Sequence, residues 1–193
     1  MIHPHTAIRF IDDAVGVGVV ATQPIPRGTI TWIRDALDIA LTAEQIAHMH
    51  PWQQELMDRY TFRDRHGAFI LCWDHCKYMN HSFRPTCIAS PLNFDIAVVD
   101  IAPGEQLTND YGFLNITEPF TPVDEGAGRT TVHPDDILRH ANEWDALVAQ
   151  AVGHLLQVTQ PLQPFVPDEV WAELEQNALG RRPVRSIREL YCG

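Results

Sequence analysis

Lysine is almost missing from this chain: Lys77 stands alone among 14 basic residues, and the remainder are arginine. Against 25 acidic residues this leaves a net charge of −11. Nucleic-acid affinity rests largely on Lys and Arg neutralising phosphates, so the balance argues against direct nucleic-acid binding. An acidic surface suits a basic peptide instead. Cysteine is scarce too. Cys72, Cys76, Cys87 and Cys192 are too few and too unevenly placed for a disulfide framework in 193 residues, and a reducing interior is the default. No apolar run approaches the roughly 18 residues of a membrane span, and the N-terminus lacks the basic and apolar regions of a signal peptide. The expectation is a soluble, intracellular protein with no membrane partner. Apolar residues are not short: at 45% hydrophobic and 20% charged, the chain can bury a core, which excludes disorder over its whole length.

What is present concentrates between Tyr78 and Gly112. Tyr78-Met79-Asn80-His81-Ser82-Phe83-Arg84-Pro85 puts a carboxamide, an imidazole and a hydroxyl on successive residues, and Pro85 stops any helix. That is a polar cluster on a turn. Phe94, Ile96, Val98, Val99 and Ile101 then read as a strand, ending at the turn Ala102-Pro103-Gly104-Glu105. Such a strand carries the chain away and returns Tyr111, in Gly104-Glu105-Gln106-Leu107-Thr108-Asn109-Asp110-Tyr111-Gly112, near the cluster.

Upstream, short strands are predicted over Ile8–Ile11 and Val15–Ala21, across a turn at Asp12-Asp13. The second contains Gly16-x-Gly18-x-x-Ala21, which matches the dinucleotide-binding fingerprint as a bare pattern. That fingerprint needs a helix directly after it, with its N-terminus on the pyrophosphate. Pro24-Ile25-Pro26-Arg27-Gly28 makes a turn instead, which argues against a nucleotide fold. What remains is a glycine-bearing strand whose backbone can approach a ligand closely, or one whose glycines only shape a bulge.

The glycine pair, the Asn-His-Ser cluster and the Glu-x-Leu-Thr-x-Asp-Tyr-Gly ending, in this order and spacing, resemble the SET-domain family of protein lysine methyltransferases over roughly residues 8 to 114. The resemblance implies a mainly β (α+β) SET fold of short twisted sheets, in which the Asn-His-Ser and Asp-Tyr segments pass through one another in a knot-like crossing. It implies methyl transfer from S-adenosyl-L-methionine to a lysine side chain of a protein or basic peptide. Gly16, Val17 and Gly18 are then expected to contact the cofactor through main-chain groups, Asn80 to meet its methionine part, and His81 to meet the adenine through its backbone. Tyr111 takes the family's catalytic position, and Tyr60 resembles its pocket tyrosine. An ordinary half-buried strand aromatic describes Tyr60 equally well. By themselves, Asn80 and His81 also fit a buried turn whose side chains satisfy backbone groups. The scarcity of lysine reads two ways, as codon bias or as an advantage to a lysine-modifying enzyme.

Around this centre, Thr29–Ile33 reads as a strand. Thr42-Ala43-Glu44-Gln45 is a capping box that opens a helix from about Ala43 to His50, and Pro51 opens a second reaching about Asp58. Tyr60–Phe62 and Ala68–Trp73 read as strands. The SET domain is expected over 1–116, with a helical insert at 42–58, followed by a linker or loop over 117–134. Residues 135–193 read as a C-terminal helical segment. Its first helix covers Asp135–Val158, and a second, N-capped by Asp168, stops at Gly180.

Two departures from the family pattern bear on function. Phe83 stands where many members carry cysteine, and the ending Leu190-Tyr191-Cys192-Gly193 lacks their zinc-binding cluster, so no metal is expected. Cys72-x-x-His75-Cys76 with His81 fits no zinc pattern well. The C-terminal helices are then the candidate for closing the lysine channel. Asn109, two residues before Tyr111, replaces the usual Phe or Tyr, which leaves the number of methyl groups open and weakens the expectation of a histone tail. A Ser82, His81 and Asp110 hydrolase triad fails because adjacent residues do not face each other and no nucleophile elbow is present. The alternative from another class is a non-catalytic SET module that binds cofactor or peptide.

Overall fold

Alternating apolar residues and tight turns dominate the first half of the chain. The computed structural model, which describes residues 1–193, folds that half into three small sheets. β1 (Thr6–Asp12) and β2 (Gly16–Ala21) form a hairpin with an irregularity between Phe10 and Asp12. The Asp12 carboxylate accepts the main-chain N–H groups of Ala14 and Val15 at 2.9 and 2.8 Å, and Gly16 closes the turn at φ 82°, where a side chain would be strained.

The second sheet holds β3 (Ile30–Ile33), β8 (Cys87–Ser90) and β9 (Phe94–Ala97) in the order β3-β9-β8, with every residue of β3 and β9 buried. The third holds β4 (Ile39–Leu41), β5 (Thr61–Arg63) and β6 (Phe69–Leu71) in the order β4-β6-β5. Between β4 and β5 lie α1 (Ala43–Ala47) and α2 (Pro51–Tyr60). The Thr42 box forms as expected, and a second box pairs His50 with Gln53. Back in the first sheet, β7 (Asn80–His81) and β10 (Gln106–Asn109) complete the order β1-β2-β10-β7.

The C-terminal half packs onto the second sheet. α3 (Asp136–Arg139), α4 (Ala141–Val152) and α5 (Asp168–Ala178) contribute Ile137, Trp144, Val148 and Leu174 to one core with Ile30, Ile88, Phe94 and Ile96. Gln160 fastens the two halves. Its Oε1 accepts Ile30 N–H at 2.9 Å, and its Nε2 donates to the carbonyls of Gly28 and Leu155 at 2.7 and 3.0 Å.

Several boundaries differ from the sequence expectation. The helix over 135–158 is divided at His140 and ends at Val152, because Gly153 is a weak helix former and the chain tightens to bury Leu155. Pro167 takes the N-cap position, so Asp168 is the first residue of α5, where its charge still complements the helix dipole. The strand read over Phe94–Ile101 stops at Ala97, and Ile101 pairs separately with Ile25. Tyr60 ends α2 rather than opening a strand. No helix is long and apolar enough to cross a membrane.

Gln160→Ala leaves two carbonyls and one amide without their partner. It is expected to cost about 2–3 kcal/mol in urea unfolding, with a single transition for the whole chain. An unchanged midpoint would show that Gln160 does not fasten the halves.

Candidate active site

The β7–β10 pairing is parallel, with Thr108 opposite Asn80 and Asn109 opposite His81. It brings together two stretches far apart in sequence. Ser82 N–H extends the pairing to the Asn109 carbonyl at 3.0 Å, and Tyr111 N–H donates to His81 Nδ1 at 3.1 Å. The Tyr111 phenol donates to the Met79 carbonyl at 3.0 Å, so its ring is fixed at both ends. Because Nδ1 of His81 accepts, the imidazole proton sits on Nε2. Burial, and then the Arg129 charge, bring the His81 pKa down to about 4, and the ring is neutral. Burial pushes the Tyr111 phenol up to about 12, opposite to what a general base requires.

Asn80 reaches back to β2. Its Nδ2 donates to the Val17 carbonyl at 3.2 Å and to Gln106 Oε1 at 2.9 Å. Gly18 makes the room: a Cβ there would lie 2.5 Å from each of those two side-chain groups, Asn80 Nδ2 and Gln106 Oε1. β10 pairs with β2 only at Val19 and Val20, so the Gly16–Gly18 stretch of that edge has no strand beside it. Gly16, Val17, Gly18, Asn80 and His81 therefore belong to one cluster.

Tyr60 and Tyr111 belong to another. Both line a cavity of about 680 Å³ that none of those five residues lines. The two groups meet at the hydrogen bond between Tyr111 and His81. Tyr60 packs edge-on against Tyr78 with ring centres 5.4 Å apart, and Phe120 lies 5.8 Å from Tyr111 and 6.0 Å from His81. Trp32, Phe62, Phe94 and Phe113 make much of the wall. Asp95 and Asn109 interrupt it with a polar pair, Asn109 Nδ2 donating to the carboxylate at 2.9 Å. Burial pushes Asp95 up to about 6, against the opposing pull of that hydrogen bond.

The stretch over 117–134 does more than connect. The Glu125 carboxylate accepts the Ser82 hydroxyl and Phe83 N–H, both at 3.0 Å. Arg129 bonds the buried carboxylates of Asp110 and Asp136 and lies over the Phe83 ring at 4.5 Å. Sequence reading missed Glu125, Arg129, Tyr78 and Asp95. The one signal was Arg129 itself, the only basic residue between Arg84 and Arg139. Ser82 closes its turn by accepting Arg84 N–H at 3.0 Å, and its hydroxyl is given to Glu125 rather than to His81. His75 Nε2 is paired with Thr6 Oγ1 at 2.8 Å, and the Cys76 thiol contacts Met79 sulfur at 3.7 Å.

An acid whose folded pKa lies above its unfolded value binds more protons when folded, so it lowers stability as pH rises through that interval. For Asp95 the interval runs from 3.8 to about 6. Asp95→Asn is expected to raise stability at pH 7 by about 3 kcal/mol at most, with the gain vanishing below about pH 4 in thermal melts. A gain independent of pH would contradict this origin.

A search of curated proteins finds no match. The family model of the SET domain matches residues 16–112, just over half of the 193-residue chain, from the glycine turn of β2 to the residue after Tyr111. With the mixed short sheets and the junction of the two motifs, that match establishes that the chain belongs to the SET-domain family.

Proposed function

We propose that this chain transfers a methyl group from S-adenosyl-L-methionine to a lysine amine of a protein or basic peptide. The observation that carries the reading is the two-sided position of Tyr111. Its main chain is bonded to His81, next to Asn80 and the glycine strand, while its ring lines the aromatic cavity. The residues present fit the cofactor: no strand covers the Gly16–Gly18 edge, Asn80 places its carboxamide there, and the buried Nε2 of His81 has no partner. Gly16, Val17, Gly18, Asn80 and His81 would hold it. When bound, S-adenosyl-L-methionine supplies an electrophilic methyl group on a sulfonium centre.

The chain's own residues would do the rest. Aromatic walls exclude water and disfavour the charged form of an entering amine, lowering its pKa from about 10.4 in water. The phenol of Tyr111, held protonated, and the Met79 carbonyl beside it supply fixed dipoles that orient the nitrogen. Tyr111 acts as a positioning hydroxyl and not as a base. Tyr60 would form part of the cavity wall, steadied by its packing on Tyr78. The net charge of −11 supports a basic target and speaks against nucleic acid. A SET module that binds without turnover is the second reading, favoured by Asn109 in place of the family's usual aromatic residue.

Calorimetry with S-adenosyl-L-methionine and S-adenosylhomocysteine is expected to give about one site, weakened roughly 10-fold in Asn80→Ala. Tyr111→Phe should bind the cofactor like the wild type while transfer to lysine peptides falls about 100-fold. Absence of binding by the folded chain would contradict the proposal. Binding without transfer to any lysine peptide would favour the second reading.

A further inference from the structure

Three acidic residues are buried in this chain, Asp95, Asp110 and Asp136. Asp110 and Asp136 share the guanidinium of Arg129. Asp95 has no cation within ion-pair distance. The Met1 ammonium, whose charge reaches it, is bonded instead to Asp35 at 3.0 Å. Such a group is costly in the middle of β9, between the core residues Phe94 and Ile96.

Its surroundings are unfinished in a consistent way. The only side-chain hydrogen bond to Asp95 comes from Asn109 Nδ2, and that bond turns Asn109 Oδ1 away as an acceptor that is buried and unpartnered. Asp95 and Asn109 are 4% and 7% exposed, and both line the cavity that contains Tyr60 and Tyr111. Of the basic side chains on the wall, Arg59, Arg63 and Arg65 form no ion pair with any carboxylate, Asp95 included, and two others are committed elsewhere. Arg34 pairs with Asp64 at 3.0 Å, and Lys77 donates to the carbonyls of Cys72 and Trp73 at 3.4 and 3.3 Å. An aromatic-walled cavity therefore carries two adjacent acceptors, one of them a carboxylate with no cation within ion-pair distance.

We propose that Asp95 and Asn109 form the seat for the cationic head of the substrate, a primary ammonium or its methylated product. Asp95 supplies the opposite charge and Asn109 Oδ1 the directional acceptor, while the aromatic residues enclose the alkyl stem. This rests on the lysine-methylation reading and adds to it the residues that select an amine over a neutral side chain of equal length. Asn109 is a small residue at a position where an aromatic ring would fill the space, and its amide fixes the carboxylate in place. The pair acts in recognition of the arriving ammonium, whose charge the carboxylate favours; loss of the amine proton, which desolvation by the aromatic walls favours, is a separate and later step.

The test uses n-butylammonium as a lysine side-chain mimic and n-butanol as its neutral counterpart, titrated into the full chain. Binding is read from the indole N–H signal of Trp32, whose buried Nε1 has no partner and whose ring lines the same cavity. The wild type is expected to bind the ammonium at least about 10-fold more tightly than the alcohol, and Asp95→Asn to bring the two within about twofold. Asn109→Ala, which keeps the carboxylate, should lose part of the preference and guards against a folding defect in the first variant. A wild type without preference, or Asp95→Asn with the preference intact, overturns the seat. Cofactor calorimetry on the same samples separates the two claims. Cofactor binding without amine preference leaves the methyltransferase reading and removes the seat, whereas an amine preference without cofactor binding does the reverse.

Discussion

Everything at this site depends on two residues of parallel pairing. Asn80 and His81 lie beside Thr108 and Asn109, and no local contact could bring those stretches together. Twenty-six residues of intervening chain, including β8 and β9, must be packed before the pairing can close. Once it closes, the Tyr111 amide falls on His81 Nδ1 and the Tyr111 phenol on the Met79 carbonyl. The cluster of Asn80, His81 and the glycine strand and the cavity then share one wall.

That wall is braced from the C-terminal side. Arg129 joins Asp110, next to Tyr111, to Asp136 at the start of α3, and covers Phe83 of the Asn-His-Ser turn. Trp144 of α4 packs edge-on against Phe113 with ring centres 5.3 Å apart. The helical segment is thus part of the scaffold that holds the motif. A half-buried guanidinium between two buried carboxylates is worth little beyond what an apolar cluster would give, yet removing it leaves two buried charges stranded, so the geometry is held strictly.

Much of this was legible because the relevant signals are local. The Asp12-Asp13 turn with Gly16, the Thr42 capping box and Pro51 at a helix start are short-range chemistry and appear where expected. β4 and β8 were not legible. β4 is three residues long and mostly exposed, and β8, Cys87-Ile88-Ala89-Ser90, lacks alternation because its burial comes from neighbours distant in sequence. At the site, Tyr111, Tyr60, Asn80 and the glycines were picked out through family motifs. Their division into two clusters was not visible, since it follows from where β10 leaves β2 and joins β7. Asp95 could not have been singled out: in sequence it is one acid within an apolar strand, and only burial without a cation makes it unusual.

The central claim is that Tyr111 stands between a cofactor site and a lysine-accepting cavity. The most direct test is mass spectrometry of a lysine-peptide library incubated with the chain and methyl-labelled S-adenosyl-L-methionine. The account predicts label on lysine nitrogen, carried preferentially by basic peptides and reduced about 100-fold when Tyr111 is phenylalanine. Cofactor bound at the Asn80 site with no label on any lysine, or equal labelling by the phenylalanine variant, would contradict it.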